Sequence, residues 1–388
     1  MTRRDGLLSA SFFLYFGAGG VVMPILPLLL RRKGFTDTEI GFITAAFYLA
    51  VLFISPVAPR LVEKSGHVRR VLAAGGLFTL AGILVWALGD ARLVTLAGVV
   101  VFALARAPLP PLLDWLTLRA LGDDSDRYGF IRLWGSGAFL LTALAFGPRI
   151  KDAPELPLMV GAALLALFVC VVLFLPEPPT VATRPGTSAS RAVVGHAVMW
   201  PLLIVGLAVG LGDGVFDVGF ALYVDDLQRA GSLVDGETVI ARSVGVAVGA
   251  ELAMLLVGPW LLRRAGPVPL ILLALTAGVL RWTLIGVSTD GTVLVLIQAL
   301  HGLSFAAFWL GAVAVVADYA PVHAMGSAQG LLTAAVGGLG PLAASGLVAL
   351  LAERIALSTV FLGLALVVAG ATIYCALRLR PAVRAVQP

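Results

Sequence analysis

Apolar runs of about 20 residues recur from one end of this chain to the other, and each is long enough to cross roughly 30 Å of hydrocarbon as an α-helix. In a bilayer every backbone polar group needs a partner inside the structure, so only helices and closed barrels span it. Just 13% of the residues are charged, against about a quarter in soluble domains. The sequence therefore predicts an all-α membrane protein with twelve transmembrane helices, at about residues 6–30, 38–60, 71–89, 93–120, 129–147, 157–175, 198–224, 237–262, 267–289, 291–317, 326–352 and 356–379.

Lys and Arg residues outside the apolar runs are divided unevenly between the two sides of the membrane. With the N-terminus placed inside, 15 fall on the cytoplasmic side and 8 on the other, and an excess of Lys and Arg marks cytoplasmic loops. We expect a multi-pass protein of the plasma (cytoplasmic) membrane with both termini in the cytoplasm. The formal charge of +5 is mostly this topology signal and gives no case for nucleic acid binding.

The longest polar stretch, PEPPTVATRPGTSASRAVVGH, separates the sixth apolar run from the seventh. Its Pro, Ser, Thr and Arg content is typical of a flexible linker. The prediction is an N-terminal six-helix bundle over 1–175, a cytoplasmic linker over 176–197 and a C-terminal six-helix bundle over 198–388.

The two halves also resemble each other in sequence. The stretch APRLVEKSGHVRRVL (58–72) aligns with GPWLLRRAGPVPLIL (258–272) at an offset of 200, pairing for example Gly66 with Gly266. Both stretches follow the second apolar run of their half. A match at equivalent places in a six-plus-six chain indicates an internal duplication and two pseudo-symmetric bundles.

The first of these stretches resembles the loop motif of the major facilitator superfamily, Gly-x-Leu-x-Asp-Arg-x-Gly-Arg-x-Arg. Pro59 stands where the motif has its first Gly, and His67 also departs from it. The resemblance implies the major facilitator fold, and it implies a structural or gating role for the loop charges Glu63, Arg69 and Arg70.

Three further segments resemble one subgroup of that superfamily, which includes phenylpropionate permeases and nucleoside–proton symporters and is distantly related to lactose permease. They are RRKGFTDTEIGFITAAF (31–47), DRYGFIRLWGSGAF (126–139) and QALHGLSFAAFW (298–309). The resemblance implies a solute site near the bilayer midplane between the halves, alternating access and import of solute. Gln298, which opens the third segment, joins the substrate-binding candidates.

Asp213 and Asp217 lie four residues apart in the seventh apolar run and therefore on one face of a helix. Two carboxylates that are close in a low dielectric are not expected to be ionised together unless a cation intervenes. The pair is therefore a candidate proton carrier. The alternative is a static ion pair between Asp217 and Arg242, a structural or gating role.

Glu251, Arg281 and His301 fall near the middle of the eighth, ninth and tenth runs. An ionised side chain at the bilayer centre costs roughly 2.5–3.5 kcal/mol on insertion scales, so each needs a cavity or a partner. We predict Glu251 and His301 as proton-coupling residues and Arg281 as a substrate-binding residue. The alternatives are a protonated Glu251 that only hydrogen-bonds backbone, packing for His301, and an Arg281 that only neutralises Glu251.

The fourth run breaks at three prolines beside Arg106, which makes Arg106 a substrate-binding candidate. Asp114 and Arg132 are expected to face each other as a structural or gating pair. Tyr15 and Trp309 are candidates for stacking on a substrate, although a lone aromatic residue in a span is more often part of the core.

The sequence predicts a secondary active transporter, most simply a proton-coupled symporter of a small organic solute. Patterns for nucleotide binding, metal binding or Ser-His-Asp catalysis are absent from the sequence, so we expect no enzyme activity and no cofactor, with a proton gradient as the energy source. Expected partners are the solute, protons and the lipid bilayer, with a monomer as the functional form. Proton-driven efflux of amphipathic compounds and a non-transporting membrane scaffold or sensor are the alternatives.

Overall fold

Every predicted apolar run corresponds to a helix in the computed structural model, which describes residues 2–55, 58, 62, 67–89, 91–122, 127–175, 197–319 and 325–386. No strand occurs within these ranges, and the all-α prediction is confirmed. The helices, labelled in chain order, are α1 (Arg3–Arg32), α2 (Asp37–Ile54), α3 (Val68–Leu88), α4 (Arg92–Leu121), α5 (Tyr128–Ile150), α6 (Leu156–Val172), α7 (Met199–Arg229), α8 (Gly236–Ala265), α9 (Pro267–Val287), α10 (Gly291–Tyr319), α11 (Ala328–Leu351) and α12 (Leu357–Val383).

Eleven of these described helices are long and apolar enough to cross a membrane, and α6 is the shorter twelfth. At 1.5 Å per residue the 17 residues of α6 span about 25 Å. Large apolar side chains such as Phe53, Phe78 and Leu256 lie on the outside of the protein. Exposed apolar side chains of this kind are expected to contact lipid, in agreement with the membrane environment that the composition predicts.

The chain divides into two compact units. The first comprises Met1–Thr36 and Leu49–Thr183, and the second comprises Asp37–Tyr48 and Arg184–Pro388. Most of α2 therefore groups with α7 to α12, because Gly41 packs against the backbone of Ala349 and the amide of Thr38 donates to Glu353 at 3.1 Å. Most of the predicted linker lies outside the described residues.

In the first unit, α1 begins with a capping box and an ion pair to the buried carboxylate of Asp5. The amide of Thr2 donates to Asp5 Oδ2 at 2.7 Å and the amide of Asp5 donates to Thr2 Oγ1 at 3.3 Å, so two free N–H groups of the first turn are satisfied. The same carboxylate accepts a hydrogen bond from Arg127 just before α5. These contacts fix the start of α1 beside the start of α5.

In the second unit, glycines of α7 allow a close approach of α11. A methyl group on Gly210 would lie 2.2 Å from the carbonyl oxygen of Val336, and one on Gly214 would lie 2.4 Å from Cα of Pro341. Small residues four apart let two membrane helices pack backbone against backbone. These glycines thus hold the helix that carries Asp213 against α11.

Candidate functional site

Arg281 of α9 is fully buried in the second unit and is the centre of its polar groups. Its Nε and Nη2 donate to Gln298 Oε1 at 3.2 and 2.8 Å, and its Nη1 lies 3.8 Å from Asp213 Oδ1. The guanidinium also packs on the rings of Phe216 and Trp282, with centroid distances of 4.7 and 4.4 Å. Partners on four sides hold the cation in one orientation.

His301 of α10 connects Arg281 to a second carboxylate. Arg281 Nη1 lies 3.0 Å from His301 Nδ1, and a guanidinium can only donate, so Nδ1 is the acceptor. The proton of the neutral imidazole then stands on Nε2, which faces Glu251 Oε2 at 3.8 Å. Asp213, Arg281, His301 and Glu251 form a continuous row, the acid–base cluster, with one member from each of α7 to α10.

The two carboxylates of α7 have different partners, although a regular helix would place them on one face. Asp213 is directed towards Arg281, while Asp217 accepts a hydrogen bond from the hydroxyl of Tyr48 in α2. Residues Phe216–Phe220 form a π-helical turn, and a wider turn re-aims the side chains within it. Arg242, considered as a partner for Asp217, is exposed and forms no ion pair with a described residue of its unit.

One oxygen of the acid–base cluster has no partner. Asp213 Oδ2 is buried and makes no hydrogen bond with any described residue. A buried acceptor without a donor costs about 1–3 kcal/mol, and more when it is charged. This oxygen is therefore a place where an added proton lowers the cost of burial.

An aromatic row continues from His301 along α10. The rings of His301 and Phe305 are 5.3 Å apart and nearly parallel at 2°, and Phe305 and Trp309 are 6.4 Å apart at 18°. All three side chains are partly exposed. Trp309 thus belongs to a stacked row that leads to the acid–base cluster.

Close helix packing positions Glu251 next to His301. A methyl group on Gly302 would lie 2.2 Å from the carbonyl oxygen of Ala250. Because Gly302 has no side chain, α10 contacts α8 at this point. Gly302 directly follows His301, and Ala250 directly precedes Glu251. A second π-helical turn, Gly302–Ala307, begins at this point, and such turns are frequent at functional sites.

In the first unit, Arg106 stands at the break in α4 caused by the prolines. Pro110 and Pro111 lack the N–H groups that would bond the carbonyls of Arg106 and Ala107 four residues earlier. Tyr15 donates to the Arg106 carbonyl at 3.1 Å. Ser55 donates to the Ala107 carbonyl at 2.8 Å. Two hydroxyl groups thus replace the helix hydrogen bonds and stabilise the break.

The aromatic side chains beside Arg106 are buried. Its guanidinium lies 5.9 Å from the ring centre of Tyr15 and 5.6 Å from that of Phe102, and both rings are almost completely covered. Tyr15, predicted to stack on a substrate, is placed under Arg106 as a support.

Asp114 and Arg132 lie together, with Arg132 Nε 4.0 Å from Asp114 Oδ1. Tyr128 donates to the same Asp114 oxygen at 2.8 Å, and the Arg132 guanidinium packs 4.0 Å from the ring centre of Phe16. Arg106 lies over Tyr15 and Arg132 over Phe16, two rings whose centres are 5.1 Å apart, and we name Arg106, Asp114 and Arg132 the arginine cluster.

The remaining predicted site residues lie away from both clusters or outside the description. Arg69 donates to the carbonyl of Leu173 at 3.3 Å, just past the end of α6, and Arg70 is exposed. Glu63 lies outside the described residues. Among the ranges given above, no group of three His, Cys, Asp or Glu residues is placed to hold a metal ion.

Several contact residues were missed from the sequence. Tyr48 and Tyr128 donate hydrogen bonds to site residues, Ser55 donates to the residue after Arg106, and Phe216 and Trp282 pack against Arg281. Trp282 directly follows Arg281, and Tyr128 lies one helical turn before Arg132. This closeness in sequence could have indicated both contacts. Tyr48 and Ser55 meet partners more than 50 positions away, and no local pattern indicates such a contact.

Comparison with known proteins gives consistent matches. The model of the MFS_1 like family matches residues 7–360. The chain is 27% identical over 320 residues to the probable 3-phenylpropionic acid transporter of Escherichia coli (strain K12), covering 80% of this chain and 81% of that protein.

Two further similarities cover most of the chain. The maltose permease of Geobacillus stearothermophilus is 26% identical over 281 residues, which is 72% of this chain and 70% of the permease. The crystal structure of the nucleoside transporter NupG superposes with a TM-score of 0.83 at 18% identity, covering 98% of this chain and 99% of that one. At this identity the structural likeness concerns the fold alone.

Proposed function

Because the chain belongs to the MFS_1 like family and is a membrane transporter of the major facilitator type, we propose that it carries a small organic solute into the cell together with protons. Membership of a family of transporters leaves the non-transporting scaffold without support. Alternating access, with both termini in the cytoplasm, is part of the proposal.

The observation that carries the proposal is the acid–base cluster. With a neutral imidazole, two carboxylates and one guanidinium give this cluster a formal charge of −1, and one added proton makes it neutral. Buried ionisable residues inside a membrane protein are costly and mark ion or proton pathways. A row that becomes neutral by taking up a proton is suited to a site that is exposed to the two sides of the membrane in turn.

Each member of the row has a distinct part in the proposal. Asp213 and Glu251 hold the proton, and His301 relays it between them, since its Nε2 lies 3.8 Å from Glu251 Oε2 and its Nδ1 lies 3.9 Å from Asp213 Oδ1. Arg281 offsets the charge of one of the two carboxylates, Asp213, from 3.8 Å. Gln298 is occupied by Arg281 and acts by orienting it.

The test uses purified protein in liposomes that contain a trapped pH dye. Solutes from three chemical classes, an aromatic acid, a nucleoside and a sugar, are added outside one at a time in the absence of a sodium gradient. We expect internal acidification with one class only. Liposomes without protein correct for acids that cross the bilayer unaided.

Matched substitutions make the test specific. Asp213→Asn and Glu251→Gln each remove a proton site while keeping the shape of the side chain, and both should abolish acidification. Asp225→Asn is the control, because Asp225 lies twelve residues, about 18 Å, along the same helix from Asp213 and pairs at 2.9 Å with the exposed Arg229. Acidification that persists in both cluster variants would contradict the proposal. Silence across the panel would favour efflux of amphipathic compounds.

A further inference from the structure

Arg106 carries a charge that the first unit does not neutralise. It stands in the middle of α4, fourteen residues after the first residue and fifteen before the last, and it is half-buried. Arg127 and Arg132 each have a carboxylate partner, Asp5 and Asp114. No carboxylate among the described residues of the unit lies within 4.0 Å of the Arg106 guanidinium, whose contacts are the rings of Tyr15 and Phe102.

This charge is expensive to keep and is held in a fixed place. A cation near the bilayer centre costs about 2.5–3.5 kcal/mol on insertion scales, and a ring face offsets only about 0.5–2 kcal/mol of it. The hydroxyl groups of Tyr15 and Ser55 anchor the carbonyls of Arg106 and Ala107 at the proline break. A position built so firmly around an unneutralised guanidinium is suited to receive an anion.

The two clusters have opposite formal charges. In the arginine cluster, two guanidinium groups and one carboxylate give +1, and in the acid–base cluster the formal charge is −1. One anionic group therefore neutralises the first cluster, and one proton neutralises the second. A guanidinium pairs best with a planar carboxylate, through two parallel N–H···O bonds.

We propose that Arg106 binds the carboxylate of the transported solute, so that the solute is an organic monoanion that travels with one proton. The claim that this solute is transported rests on the proposed function. The binding of a carboxylate at Arg106 stands on the contacts of the first unit alone.

The experiment measures binding without requiring transport. Thermal unfolding of the purified, detergent-solubilised full chain is followed with 3-phenylpropionate, with its neutral amide 3-phenylpropionamide, with uridine and with maltose. A ligand that binds only the folded protein raises the unfolding temperature. We expect a rise with the acid, none with the amide, and at least a tenfold loss of apparent affinity for the acid in Arg106→Gln.

Two variants guard against a trivial loss of folding. Arg106→Lys keeps the charge without the paired N–H groups, and it should retain part of the affinity. Arg119→Gln is the matched control, because Arg119 lies on the same helix with its guanidinium 5.2 Å from the ring centre of Trp115; it should bind the acid as the wild type does. If Arg106→Gln does not fold, the ratio between acid and amide in the wild type and in Arg106→Lys decides.

The outcomes separate this inference from the proposed function. Equal binding of acid and amide, equal stabilisation by chloride or inorganic phosphate, or no stabilisation by the acid at millimolar concentration would overturn it. Proton uptake driven by uridine or maltose and unaffected by Arg106→Gln would overturn it while leaving proton symport intact. Binding of the acid through Arg106 without any proton uptake would support it and reject symport.

Discussion

The two units each bury a cluster of ionisable side chains, and they stabilise the charge in different ways. In the arginine cluster, Arg106 and Arg132 pack on aromatic rings, and of the two only Arg132 has a carboxylate within 4.0 Å among the described residues of the unit, so the cluster holds a fixed positive charge. The acid–base cluster links two carboxylates through one guanidinium and one imidazole. The comparison indicates that the first cluster is built to hold an anion and the second to gain and lose a proton.

Arg281 is the residue whose removal should damage the acid–base cluster most. Arg281→Gln removes the cation that lies 3.8 Å from Asp213 and the donor to Gln298, and breaking a buried ion pair from one side costs about 3–5 kcal/mol. We expect solute uptake to fall at least 100-fold, together with a lower unfolding temperature. Uptake rates in liposomes and thermal unfolding measure the two effects. Wild-type uptake in this variant would show that the row is not a functional unit.

Gly302→Ala should separate Glu251 from His301 without altering either side chain. The added methyl group would overlap the carbonyl oxygen of Ala250, so α8 and α10 must move apart, at a typical cost of 1–3 kcal/mol for overpacking. We expect at least a tenfold loss of proton uptake in the pH-dye assay.

Gly249→Ala provides the control for that change. Gly249 directly precedes Ala250 in α8, and a methyl group on Gly249 would have no neighbouring atom within 4 Å. Its proton uptake should equal that of the wild type. An equal loss in both variants would mean that general weakening of α8, and not the distance from Glu251 to His301, causes the effect.

Tyr15→Phe should weaken the arginine cluster without removing a charge. The change leaves the Arg106 carbonyl without a donor at the proline break, and an unsatisfied buried group costs about 1–3 kcal/mol. We expect apparent affinity for 3-phenylpropionate to fall several-fold, while the amide still gives no rise in the unfolding temperature. Tyr223→Phe is the control, because it removes a hydroxyl-to-carbonyl hydrogen bond of the same type, to Ser288 at 2.8 Å. It should lower the unfolding temperature without changing the apparent affinity for 3-phenylpropionate.

Membrane voltage should have the smallest effect. If one monoanion moves with one proton, no net charge crosses the bilayer, and an imposed potential of either sign should leave the rate of solute uptake unchanged. Potassium diffusion potentials set with valinomycin provide the measurement. A rate that rises when the inside is negative would indicate an excess of protons and would break the correspondence between the two clusters.

The fold was predictable because each part of it follows from a local property. Apolar length determines a membrane helix, and all twelve were placed from the sequence, with α6 shorter than expected at Leu156–Val172. The ionisable residues in the spans were also found, since a charged residue in an apolar run is visible without a structure.

What the sequence could not provide was the pairing of those residues. Asp213 and Asp217 are four apart, yet the π-helical turn at Phe216–Phe220 directs them to Arg281 and Tyr48. A prediction that assumes a regular α-helix, with 100° of rotation per residue, does not include that turn. The partners of Arg106 depend on which hydroxyl groups reach the proline break, and this is decided by packing between distant helices.

The central claim is that entry of the solute is coupled to entry of a proton that the acid–base cluster holds. The most direct test measures the initial rates of proton entry and of radiolabelled 3-phenylpropionate entry in the same proteoliposomes, for the wild type and for Asp213→Asn. The account predicts equal molar rates in the wild type and loss of solute-driven proton entry in the variant. Solute entry without proton entry in the wild type, or solute-driven proton entry that survives in Asp213→Asn, would contradict it.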